Sequence, residues 1–180
     1  MKRRTLWILG LAAAVVLPLL TEAHADGVYI VVLDDNITVG QTFGVEVWAD
    51  GEDIGEALLA FGFDVGAFGS FLDYDGYVLG PDFFDISDPL NPLNVSGVGI
   101  ALDDDVLLAT LNFTALSVGT GMLEIAGLYD GFFYGLFYER SGADIDASTD
   151  ITVNPVPEPA SLLLLAAGIG VVAVLPRRRG

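Results

Sequence analysis

The sequence predicts an all-β fold: a single β-sandwich over residues 26–154, carried between two hydrophobic termini. Three observations predict it. Short segments with period-two apolar alternation recur along 26–154, separated by Gly and Asp turn signals. No stretch of that region has the apolar spacing of an amphipathic helix. The two longest apolar runs, 6–20 and 160–175, lie at the ends with basic residues beside them, so they belong to targeting and not to the core.

The first strand is 28–33 (Val28, Tyr29, Ile30, Val31, Val32, Leu33), an apolar run stopped by Asp34, Asp35 and Asn36. Val39 and Gly40 turn the chain into 41–48, where Phe43, Val45 and Val47 share one face and Trp48 lies on the other. Asp50 and Gly51 signal the next turn. In 57–65, Ala57, Leu59, Phe61, Phe63 and Val65 alternate with Leu58, Ala60, Gly62 and Asp64. Residues 66–94 contain Pro81, Pro89, Pro92 and many Asp, and are expected to form a long loop with short strands in it. Residues 106–115 are expected to put Leu107, Ala109, Leu111, Phe113 and Ala115 inward. Residues 117–121 turn the chain back into 122–126, with Leu123 and Ile125 toward the core. Residues 132–138 are aromatic and strand-like, and Ile151 and Val153 close the domain. About 130 residues suffice for one core.

Charge is concentrated in this domain. Between residues 26 and 156 there are eighteen Asp and five Glu against one cation, Arg140, a formal net of −22. Such a surface repels nucleic acid and anionic lipid, and favours hard divalent cations. The chain has no cysteine, so no disulfide holds it together.

Most catalytic chemistries are excluded by absence. Beyond His24 the chain has no His, and no Lys beyond Lys2, so Ser70, Ser96 or Ser117 has no base to activate it. Imidazole and thiolate metal sites are excluded likewise. Carboxylate-pair chemistry remains open in principle, but no pair is singled out, and no enzymatic activity is expected.

Calcium is the credible ligand for these residue types. Asp73, Asp75 and Gly76 have the spacing of part of a calcium loop, without its third Asp or distal Glu. Asp103, Asp104 and Asp105 form a turn cluster that a cation would relieve. Each also reads as an ordinary solvated turn. A candidate ligand surface is formed by Trp48, Tyr134 and Tyr138. If 132–138 is a strand, Phe132, Tyr134, Leu136 and Tyr138 point one way and Phe133 and Phe137 the other. The second face is then either a binding patch or covered by the core.

The termini carry the most specific signals. Lys2, Arg3 and Arg4 precede the apolar run 6–20, and Ala23, His24 and Ala25 make a small-x-small cleavage site, so 1–25 reads as a signal peptide helix. At the other end, Val156, Pro157, Glu158 and Pro159 precede the apolar run 160–175, which is followed by Arg177, Arg178 and Arg179. As a helix, that run spans about 24 Å, a little under a hydrocarbon core of about 30 Å. The arginines would stay on the cytoplasmic side. Residues 155–180 resemble the PEP-CTERM sorting tail. The resemblance implies an exosortase-type processing enzyme, a precursor tethered to the inner membrane by a transmembrane helix, and release to the cell surface or extracellular matrix.

The domain is similar to bacterial cohesin domains. The resemblance rests on Val39, Gly40, Gln41, Thr42 and Phe43, on 59–65, and on 108–115 with Val118, Gly119 and Thr120. These segments lie within residues 39–120. It implies a nine-stranded, jelly-roll-like sandwich with an adhesive role, in a setting of exopolysaccharide or biofilm. The alternative is a module with a specific carbohydrate or protein ligand, with calcium as a candidate requirement.

Overall fold

The computed structural model describes residues 23–25, 27–50, 56–66, 68–101 and 105–157. Both apolar terminal runs lie outside the described residues, as do Asp103, Asp104, Glu158, Pro159, Arg177, Arg178 and Arg179. Among the described residues there are thirteen strands and no helix, hence none long and apolar enough to cross a membrane.

The strands are β1 (Ala23–Ala25), β2 (Val28–Val32), β3 (Ile37–Thr38), β4 (Thr42–Asp50), β5 (Leu58–Val65), β6 (Leu72–Leu79), β7 (Phe83–Asp85), β8 (Asn94–Ala101), β9 (Asp105–Ala115), β10 (Gly119–Gly127), β11 (Gly135–Tyr138), β12 (Gly142–Ala143) and β13 (Ile145–Asn154). The smaller sheet runs β1-β2-β4-β9-β6. The larger sheet runs β12-β11-β5-β10-β13-β3, with β8 on the other edge of β5 and β7 outside β8. Pairing is antiparallel except for β13 with β3.

Inward residues of the two sheets meet in one core. Phe61, Phe63, Phe113, Leu111, Leu123 and Ile125 are fully buried. Each contributes about 1.5–3 kcal/mol through the apolar surface it removes from water. Phe43 and Phe113 pair across β4 and β9 with centroids 5.8 Å apart, and Phe83 meets Phe61 edge-on at 4.9 Å.

Alternation holds where strands pair regularly and fails at bulges. In β9, Val47 faces Ala109 but Trp48 faces Leu107, which leaves Leu108 as an extra residue. Leu108 is buried beside Ala109, and Leu107, expected inward, is only half-buried. In β5, Leu59 is the residue that β11 skips, so Leu58 takes the core position. Residues 66–94 are also more regular than expected: β6 is an eight-residue edge strand paired with β9 over most of its length.

Candidate interaction surfaces

The predicted site residues that lie among the described residues do not converge. Trp48 lies on the outer face of the smaller sheet, stacked on Tyr29. Tyr134 lies over the larger sheet, and its hydroxyl donates to the Asp64 carboxylate at 3.3 Å. Burial pushes its ionisation upward, and the Asp64 charge adds to that. Tyr138 corrects the expectation of a ligand surface: it is only 7% exposed and belongs to the core. Its hydroxyl has no hydrogen-bond partner among the described residues, and burial pushes its pKa up to about 12.

The reason is that 132–138 is not one strand. β11 begins only at Gly135. Before it, the Asp130 carboxylate accepts the amides of Phe132 and Phe133 at 2.8 Å and of Tyr134 at 3.2 Å, which folds the segment into a turn. Those three bonds hold the Asp130 carboxyl below the usual carboxylate range. Phe132 and Phe133 are left exposed, while Leu136 and Tyr138 face the core.

Asp73 and Asp75 sit on β6, not in a loop. Asp75 lies at a bulge between Tyr74 and Gly76, and its carboxylate accepts the Thr114 hydroxyl at 2.6 Å. Gly76 has φ 110°, the left-handed region that the bulge requires. Asp105 is the exposed first residue of β9. Among the described residues no group of three or more His, Cys, Asp or Glu is placed to hold a metal. Ala23 and Ala25 pair with Ile30 and Val28, so cleavage after Ala25 would remove β1. Val156 and Pro157 are exposed just past β13.

One feature was missed in the sequence. On the outer face of the larger sheet, Phe84 lies opposite Val98, Val98 opposite Ala60, and Ala60 opposite Phe137. The row therefore crosses four strands. Phe84 is 79% exposed, Val98 41% and nearby Ile100 68%. At the far end Tyr129 packs against Phe137 at 5.1 Å. Beside the row, Asp64 accepts from Asn91 at 3.1 Å and from Tyr134, which ties the 86–94 segment and the 130–134 turn to β5. The alternation of Val98 and Ile100 with Gly97 and Gly99 was a signal, but which side faced solvent depended on the pairing with β5.

No family profile matches the chain, and no curated protein matches it. Among solved structures it is similar to the cohesin module from the family 33 glycoside hydrolase of Clostridium perfringens, with TM-score 0.50 and 12% identity, covering 73% of this chain and 100% of that one. It also matches a chain from the crystal structure of a CaDoc0917 variant in complex with CaCohA2 at pH 5.5, with TM-score 0.45 and 17% identity, over 65% of this chain and 92% of that one. The domain is thus a cohesin-like β-sandwich. At this identity the likeness is one of fold.

Proposed function

We propose that the chain is an exported protein, held at the inner membrane by its C-terminal tail and cut by an exosortase-type enzyme near Pro157, Glu158 and Pro159. It is then released to the cell surface or extracellular matrix, among exopolysaccharide. There the sandwich acts as a non-enzymatic adhesive module. The observation that carries the adhesive reading is the apolar row Phe84, Val98, Ala60 and Phe137, exposed at Phe84 and Val98 and half-buried at Ala60 and Phe137. Contiguous apolar surface of this kind marks interaction sites. Asp82, Asp85 and Asp64 lie on the same strands or next to them. The occupant it suits is a protein with an apolar centre and a basic rim. The cohesin-like fold supports this reading.

The test expresses the full chain in a host with an exosortase-type enzyme, beside a chain lacking 157–180 and a Phe84→Asp, Val98→Asp double variant. The truncated chain is expected to lose the processed surface form; if it still reaches the surface processed, the sorting reading fails. The double variant is expected to be processed normally and then shed into the medium. Undiminished retention would show that the row is not the adhesive face.

A further inference from the structure

The outer face of the smaller sheet carries a different chemistry, on the side of the sandwich away from the apolar row. Tyr29 on β2, Trp48 on β4 and Leu107 on β9 stand in register across three neighbouring strands. The two rings are parallel to within 7°, with centroids 6.4 Å apart. Both aromatic residues are half-buried, seated on the sheet with part of their surface in solvent. Three strands span roughly 10 Å at strand spacing.

Trp48 is fixed in place. Its indole Nε1 donates to Glu46 Oε2 at 3.0 Å, two residues back on the same face of β4. That bond sets the indole's orientation and engages one oxygen of a group that can accept about four hydrogen bonds. Glu46 lies opposite Val31 on one side and Thr110 on the other. Farther along the face come Asn112, opposite Gly44, and then Thr42 and Thr114, whose hydroxyls are 3.2 Å apart. Thr114 in turn donates to Asp75. The face therefore runs from the aromatic pair to a mixed end, where these hydroxyl, amide and carboxylate groups stand beside exposed Val78, opposite Thr110, and exposed Leu33, which lies over Gly44.

We infer that this face is a binding site for an uncharged polysaccharide chain, with Trp48, braced by its stack on Tyr29, packing against a sugar ring and Glu46, Thr110 and Asn112 taking sugar hydroxyls. Ring surface beside a few oriented polar groups is the chemistry that holds a pyranose, which is apolar on its C–H face and polar at its rim. Charge decides the class of polymer. The face carries Glu46, Asp73 and Asp75, and among its described residues no Lys or Arg. A polyanion such as nucleic acid or a uronate polymer is repelled, and a neutral glycan is not. This site is independent of the apolar row and of the sorting tail.

The test measures binding of cellohexaose, xylohexaose and mannohexaose to the full chain in mild detergent by calorimetry, with polygalacturonate as the anionic probe. At least one neutral hexasaccharide is expected to bind. Trp48→Ala is expected to weaken it at least about fivefold, the scale of one aromatic contact. Trp48→Phe keeps a ring in the packing but loses the N–H to Glu46, and is expected to weaken binding less. It also serves if the alanine variant does not fold. Absence of binding by all three neutral probes, equal binding by Trp48→Ala or, where that variant does not fold, by Trp48→Phe, or tighter binding of polygalacturonate would each overturn the inference. None of these outcomes bears on matrix retention through Phe84 and Val98, so the two proposals fail separately.

Discussion

Gly62 lies directly beneath the carbonyl oxygen of Phe133: a Cβ at position 62 would sit 1.8 Å from that oxygen. The 129–134 turn is thus packed against the backbone of β5, and only a residue without a side chain admits the contact. Gly62→Ala is expected to push the turn off the sheet and destabilise the domain by about 1–3 kcal/mol. Equilibrium urea unfolding of the wild type and the variant checks this. An unchanged midpoint would mean that the turn is not seated there.

The same turn has a pH dependence of known sign. The Asp130 carboxyl is held below its usual range by the three amides, so the stabilisation it gives the turn is present above the ordinary Asp pKa. It is lost as pH falls through the lowered folded value. Amide exchange at Phe132, Phe133 and Tyr134 should stay slow through the pH range in which an ordinary Asp protonates and speed up only below it. In Asp130→Ala that protection should be absent at every pH.

Tyr138 makes an alkaline prediction. Its buried hydroxyl ionises only at about 12 when folded, against 10.0 when unfolded. Stability is therefore full below pH 10 and falls as pH rises toward 12. Tyr138→Phe removes this loss and also an unpartnered hydroxyl. At neutral pH it is expected to be neutral or stabilising by up to about 1 kcal/mol. Thermal melts at pH 7 and pH 11 should show a larger gain at pH 11.

Phe113 joins several rings: it touches Phe43 at 5.8 Å, Tyr74 at 5.4 Å and Phe68 at 5.5 Å. Phe113→Ala leaves a cavity among them and is expected to cost about 3–5 kcal/mol. A loss under 1 kcal/mol in denaturant unfolding would contradict this packing.

Asp75→Ala removes the acceptor of the Thr114 hydroxyl at the β6 bulge. The bond is exposed, so the expected cost is small, below about 1 kcal/mol. Calcium titration of the wild type and Asp75→Ala by calorimetry tests the sequence-based idea of a calcium loop. With Asp75 on a strand, the two heat profiles are expected to be the same.

Phe43, Val45 and Val47 were legible as inward because a regularly paired strand repeats every two residues. Leu107 departs from the expected inward position because the bulge at Leu108 shifts the phase by one, and that insertion is visible only against β4. Tyr138 reads as a surface residue only if one strand runs unbroken from 132. The Asp130 carboxylate, by capturing three amides, starts the strand later. The exposure of Phe84 and Val98 is not legible in the sequence, because it depends on pairing with strands outside their own segment.

From the sequence alone came the strand periodicity, the acidity of the domain, its lack of cysteine and the character of its two ends, since each depends only on residue type and order. Tertiary pairing decided which of two alternating faces met water, where a bulge reversed the alternation, and that Trp48 stood beside Tyr29 rather than Tyr134. The physical reason is range: side-chain period is local to a strand, whereas burial and cross-strand neighbours are set by distant chain segments, such as those of Ile37 and Val153, which pair in the larger sheet.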